Sequence, residues 1–194
     1  MSTYSLGSYS RTIITVAVVF LAAAFLLSSL RLDAWEGLLP FFEWMETTWF
    51  GVIGKTWGAA FAVVEAFHLL AMALMGGAIL VSDGRLLGIG FAEMDEREVL
   101  DKSHTIFSWA LAVVLFTGVF MACGVAMKIY YLEVYWYKML ALSIGILFAY
   151  FVRKPLLAKN LEEISPLVRR AVGLSSLVVW FSVAGAGRWI GFSG

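Results

Sequence analysis

Residues 56–81 read TWGAAFAVVEAFHLLAMALMGGAILV, a run whose only ionisable side chains are Glu65 and His68. As an α-helix at 1.5 Å per residue it extends about 39 Å, more than the ~30 Å of hydrocarbon in a bilayer. It therefore reads as a transmembrane helix. Working outward, comparable apolar runs lie at about 12–30, 105–127, 137–152 and 168–191. The run at 137–152 is short, and crosses fully only if its helix begins near Tyr135 or continues past Arg153. Hydrophobic residues make up 61% of the chain and charged residues 14%, against roughly 25% charged in soluble domains. The fold class this implies is all-α: an integral membrane bundle of about five transmembrane helices, with 1–194 forming a single transmembrane domain. The first run, Thr12–Leu30, exceeds a typical signal core and ends in Ser28-Ser29-Leu30-Arg31 without a small-x-small cleavage site, so it is expected to be a retained anchor.

The flanking charge sets an orientation. With the amino terminus cytoplasmic, nine of the fourteen basic residues fall on the inner side: Arg11, Arg85, Arg97, Lys102, Arg153, Lys154, Lys159, Arg169 and Arg170. The positive-inside rule favours this arrangement, with the carboxyl terminus periplasmic. Six of the eight tryptophans then lie on the opposite side as an interfacial belt. Between the first two spans, residues of about 39–55 place Phe41, Phe42, Met45, Trp49 and Phe50 near one helical face, which predicts an interfacial amphipathic helix. The polar run from Asp83 to Lys102 reads as a solvated loop leading into a helical extension of the third span. Gly84–Gly90 reads as a turn, and Ser165-Pro166 as the cap and first residue of the last helix.

Chemistry concentrates on the second span. A charged side chain at membrane depth costs on the order of 2.5 to 3.5 kcal/mol on insertion scales, so Glu65 and His68 call for a partner, a protonated state or a function. They stand one helical turn apart, and a carboxylate at that spacing can fix an imidazole's tautomer; Arg188, reaching inward from the last helix, is the other candidate partner for Glu65. Met72 and Met75 follow His68 at i+4 and i+7. Imidazole and thioether together suit copper(I), and His68 is equally able to hold a b-type haem with a methionine or with a histidine of another subunit. The competing reading is core packing, the ordinary use of methionine. His104 begins the third span near the inner boundary, roughly 20 Å in depth from His68, so one haem held by both histidines of one chain is not expected. Cys123 is the only cysteine and allows no internal disulfide. No basic, aromatic-interleaved surface suggests nucleic acid, and no nucleophile elbow, zinc-protease helix or phosphate loop suggests a self-contained hydrolase or phosphoryl-transfer enzyme.

The stretch from Phe42 to Leu142 carries Trp44-Met45-Glu46-Thr47-Thr48, Glu65-Ala66-Phe67-His68, Gly76-Gly77, Asp83-Gly84-Arg85-Leu86-Leu87-Gly88, Thr117-Gly118 and Lys138. In these motifs it resembles an uncharacterised family of small bacterial inner-membrane proteins, itself loosely similar to copper-resistance membrane proteins of the CopD type. The resemblance implies a metal connection and raises Asp83, Arg85 and Lys138 alongside Glu65 and His68. It assigns them no roles.

Three functions are consistent with these residues. The first is an inner-membrane subunit handling a transition metal, copper foremost, with His68 as central ligand, Glu65 as its proton or hydrogen-bond partner, and Met72 and Met75 as auxiliary ligands. The second is an electron-transfer subunit holding b-type haem through His68. The third is a structural anchor for a larger envelope complex. All three place the chain in the lipid bilayer with membrane or periplasmic partner subunits or a second copy of itself, and none makes it a complete enzyme alone.

Overall fold

A computed structural model describes residues 30–90, 93–158 and 161–193. Among them every regular element is a helix: α1 Leu30–Thr47, α2 Trp49–Thr56, α3 Gly58–Leu87, α4 Glu96–Gly124, α5 Ala126–Tyr130, α6 Glu133–Leu147, α7 Lys154–Leu157 and α8 Pro166–Ile190. A π-helical segment, Phe148–Arg153, joins α6 to α7 without interruption. Four of these stretches are long and apolar enough to cross a membrane: Gly58–Leu87, Glu96–Gly124, Glu133–Leu157 and Pro166–Ile190. The expected first span, Thr12–Leu30, lies outside the described residues except for Leu30. The chain divides into two units, Met1–Phe42 and Glu43–Gly194. In the first, the described part is the opening of α1; everything below concerns the second.

Antiparallel packing is fixed by matched contacts at both ends of the helices. On α3 and α4, His68 meets Thr117 while Leu86 packs with Leu100. On α6 and α8, Lys138 lies against Gly187 and Gly145 against Trp180. A central cluster draws Met75, Ala78 and Ile79 from α3, Phe107, Ala110 and Leu111 from α4, Ala149 from the π segment, and Trp180 and Val183 from α8. The outward faces carry Leu70, Leu74, Phe116, Leu140 and Phe181, all exposed, as expected where lipid is the solvent. One end of the bundle is rich in tryptophan (Trp49, Trp57, Trp189), the other in arginine (Arg85, Arg97, Arg169, Arg170).

Three boundaries differ from the sequence reading. The expected interfacial helix at about 39–55 is two helices, broken where Thr48 turns extended and its Oγ1 accepts the Gly51 N–H at 3.2 Å to cap α2. The third stretch long enough to cross in the described chain runs Glu133–Leu157 rather than 137–152, extended at both ends where either extension would have sufficed. The second span does not stop near residue 81 but continues to Leu87, so Asp83, Gly84 and Arg85 are helical rather than part of a solvated loop or turn. The turn proper begins at Gly88, which sits at φ 77° while its N–H and that of Ile89 close onto the last carbonyls of α3. Ser165 does cap α8, its Oγ accepting the Val168 N–H at 3.4 Å.

At the Trp-rich end, α2 touches α4 backbone to backbone: a Cβ on Gly54 would stand 2.9 Å from the Cα of Gly124. Glu46 holds the same region together, its Oε1 accepting the Met127 N–H at 3.0 Å and its Oε2 paired with Lys55. Burial alone would raise the Glu46 carboxyl, but Lys55 and the Met127 N–H outweigh it and hold the group below its ordinary value. A depressed folded value means the stabilisation is complete above the unfolded pKa, about 4.3, and is lost as pH falls through the folded one. Thermal unfolding in detergent should therefore show wild type losing more stability than Glu46→Gln between about pH 5 and pH 3, by up to about 1 kcal/mol. Parallel acid profiles would show that Glu46 contributes nothing.

Candidate functional site

Among the described residues the bundle interior holds two polar clusters, one toward each end. Toward the Trp-rich end, His68 is buried on α3 about 15 Å from the helix start and faces α4. Its Nδ1 lies 2.7 Å from Thr117 Oγ1, which lies 2.7 Å from the Val113 carbonyl four residues back and 3.3 Å from that of Val114. A hydroxyl has one proton and a carbonyl can only accept. The arrangement that satisfies all these groups gives the Thr117 proton to the backbone, so His68 donates Nδ1–H to Thr117 and keeps its lone pair on Nε2. Gly118 lets the ring approach this closely, since a Cβ there would stand 3.4 Å from His68 Cε1.

Lys138 lies within electrostatic reach of His68. It projects from α6 toward α8, where a Cβ on Gly187 would stand 3.4 Å from both its Cε and its Nζ. Among the described residues no carboxylate pairs with it. The cluster thus offers one imidazole nitrogen with a free lone pair and one uncompensated ammonium.

Toward the Arg-rich end, Asp83 is 0% exposed. Arg153 reaches it from the π segment, donating from Nη2 to Asp83 Oδ1 at 2.8 Å and to Ser82 Oγ at 2.7 Å. Buried Ser176 on α8 belongs to the same cluster. Beside it, a cavity of about 10 Å³ is lined by Ser82, Ser103, His104, Arg153, Ser176 and Trp180, close to the minimum that holds one water. His104 Nε2 and Arg153 Nε are buried there without a protein partner. His104 stacks near Phe107 and meets Tyr150 edge-on, so it is an interior residue as much as an interfacial one. The two histidines cannot share a centre. Thr117, the neighbour of His68, stands thirteen residues from His104 along α4, about 20 Å of helix.

Not every residue singled out from the sequence joins these clusters. Glu65 is on the exposed face of α3, with no hydrogen bond or ion pair among the described residues, and the place beside His68 belongs to Thr117. Arg188 does not turn inward to Glu65; it is exposed, with its guanidinium 4.3 Å from the Phe192 ring centroid. Met75 is part of the central apolar cluster, and Met72 is half-buried one turn beyond His68. Among the described residues no three His, Cys, Asp or Glu side chains come together. Arg85 lies at the Arg-rich end and donates to the Met94 carbonyl at 3.3 Å. Thr117 carried a signal in the Thr-Gly motif, though not a role; Arg153 and Ser176 carried none.

The chain belongs to DUF6644, a family of unknown function whose profile matches residues 41–193. The match covers both polar clusters. No curated protein and no solved structure shows significant similarity to the chain.

Proposed function

We propose that this member of a family without an assigned activity is a subunit of the bacterial inner membrane, amino terminus cytoplasmic and carboxyl terminus periplasmic, that holds a transition-metal centre through His68 Nε2. One observation carries the reading: His68 Nδ1 stands 2.7 Å from Thr117 Oγ1, which itself stands 2.7 Å from the Val113 carbonyl, and this arrangement assigns the Nδ1–H to His68 and the free lone pair to Nε2. Metal-binding histidines are commonly oriented in this way, with the second ring nitrogen held by a fixed acceptor.

Two centres suit such a ligand. Copper(I) draws support from the thioether of Met72 one turn away. Lys138 favours the alternative, b-type haem. Beside an uncompensated ammonium a bare copper ion adds positive charge to positive charge, whereas haem brings its own carboxylates and an anionic ring. If bound, haem would supply one-electron transfer, with His68 as its ligand and Thr117 orienting the imidazole. The proposal includes a partner: Glu65 on the outward face of α3 would face hydrocarbon unless another subunit or a second copy covered it.

The test is a visible spectrum of the detergent-purified protein, oxidised and dithionite-reduced, with copper and iron quantified on the same sample. A Soret band with stoichiometric iron, lost in His68→Ala, supports haem. Copper without the band, lost in the same variant, supports the copper form. If neither metal is bound after growth and reconstitution with both, the chain is a structural anchor and the proposal fails.

A further inference from the structure

A second site lies at the Arg-rich end, apart from the histidine cluster. There α3 ends and α4 and α8 begin, and a pocket of about 190 Å³ opens between Arg85, Leu86, Leu87 and Gly88 on one side and Glu96, Pro166, Arg169 and Arg170 on the other. Three guanidinium groups face one carboxylate, and that carboxylate is occupied: Arg169 Nη1 donates to Glu96 Oε1 at 3.0 Å and to Oε2 at 2.9 Å. The Nε atoms of Arg85 and Arg169 are buried without a hydrogen-bond partner. Arg170 is exposed and has no ion pair among the described residues. The first turn of α8 adds the positive end of its dipole. The C-terminus of α3 opposes it only weakly, because its last carbonyls are closed by the Gly88 and Ile89 N–H groups.

We propose that this pocket binds the phosphate group of an anionic ligand. Guanidinium forks match phosphate oxygens in geometry, and the cluster carries more positive charge than its one carboxylate balances. The pocket stands where membrane-crossing helices end, the level of lipid headgroups. Ile89 and Leu167, 80% and 78% exposed, flank it as apolar surface. A phospholipid with a net negative headgroup meets all these features, while a free phosphate compound meets only the guanidinium cluster.

The experiment uses the full chain in a neutral detergent, with native mass spectrometry and thermal unfolding as readouts. The probes are phosphatidylglycerol, zwitterionic phosphatidylcholine and inorganic phosphate. Wild type should bind phosphatidylglycerol and gain thermal stability, with phosphatidylcholine much weaker. Arg170→Gln, which breaks no ion pair among the described residues, should weaken binding about fivefold, and Arg85→Gln with Arg170→Gln about twenty-fivefold. Inorganic phosphate that stabilises wild type but not the double variant, with no lipid effect, would keep the phosphate site and identify a soluble ligand. Binding of phosphatidylglycerol unchanged in both variants, or no response to any anion, would overturn the proposal.

Discussion

Replacing Arg153 by methionine should lower the stability of the protein by about 3 to 5 kcal/mol. The substitution removes the partner of Asp83, which is fully buried, and takes a donor from Ser82. An unpaired buried carboxylate must be expelled or protonated, and either disrupts the packing of α3 on α8. For a chain of this size the loss corresponds to a fall in melting temperature of roughly 10 °C. Asp83→Leu combined with Arg153→Met should recover most of it, because replacing both members of a buried pair by apolar residues is close to neutral. A double-mutant cycle in detergent reads the coupling directly. If Arg153→Met alone shifted stability by less than about 1 kcal/mol, the pair would not be holding the helices together.

That pair also marks where the sequence stops being legible. Apolar runs located the four described helices that are long and apolar enough to cross a membrane, because lipid demands length and hydrophobicity, both of which composition reports. The same logic misplaced Asp83. Beside Gly84, Arg85 and the acidic residues of 93–101 it looked like the start of a solvated loop. What keeps it helical and buried is Arg153, seventy residues away in the chain, and periodicity carries no information about such a partner. The π segment hides the relation further. Gly145, Ala149, Arg153 and Leu157 are all buried, yet in a regular α-helix positions four apart drift by about 40° per step. The wider π turn before Pro155 absorbs that drift and aims Arg153 inward. His68 was identifiable because a mid-membrane imidazole is conspicuous in any apolar run. Its partner was not: Glu65 has the right spacing on the same helix, but Thr117 has the right face on the next one.

Thr117→Val is the substitution that separates a ligand site from a packing contact at His68. Valine keeps the shape and removes the hydroxyl, so the His68 Nδ1–H loses its hydroxyl acceptor and is left with the Val114 backbone near the ring, at a cost of about 1 to 3 kcal/mol. That loss is expected whether or not His68 binds anything. The second consequence belongs to the metal-centre reading alone. Freed from Thr117, the imidazole can rotate or exchange its proton to Nε2, where a lone pair is needed, and metal affinity should fall by about 10- to 100-fold. Thr117→Ser retains the oxygen and should restore both stability and affinity to near wild type. The measurement is metal content and visible spectrum after titration with limiting copper or haem, alongside thermal unfolding of the same preparations. Lys138→Met sharpens the comparison. It removes an ammonium that no described carboxylate balances, so it should leave stability unchanged or raised while weakening an anionic cofactor and strengthening a bare cation. The two substitutions together thus distinguish haem from copper by the sign of one effect. If Thr117→Val loses stability yet binds as tightly as Thr117→Ser, the Thr117 hydrogen bond orients no ligand, and His68 serves only to lock α3 against α4.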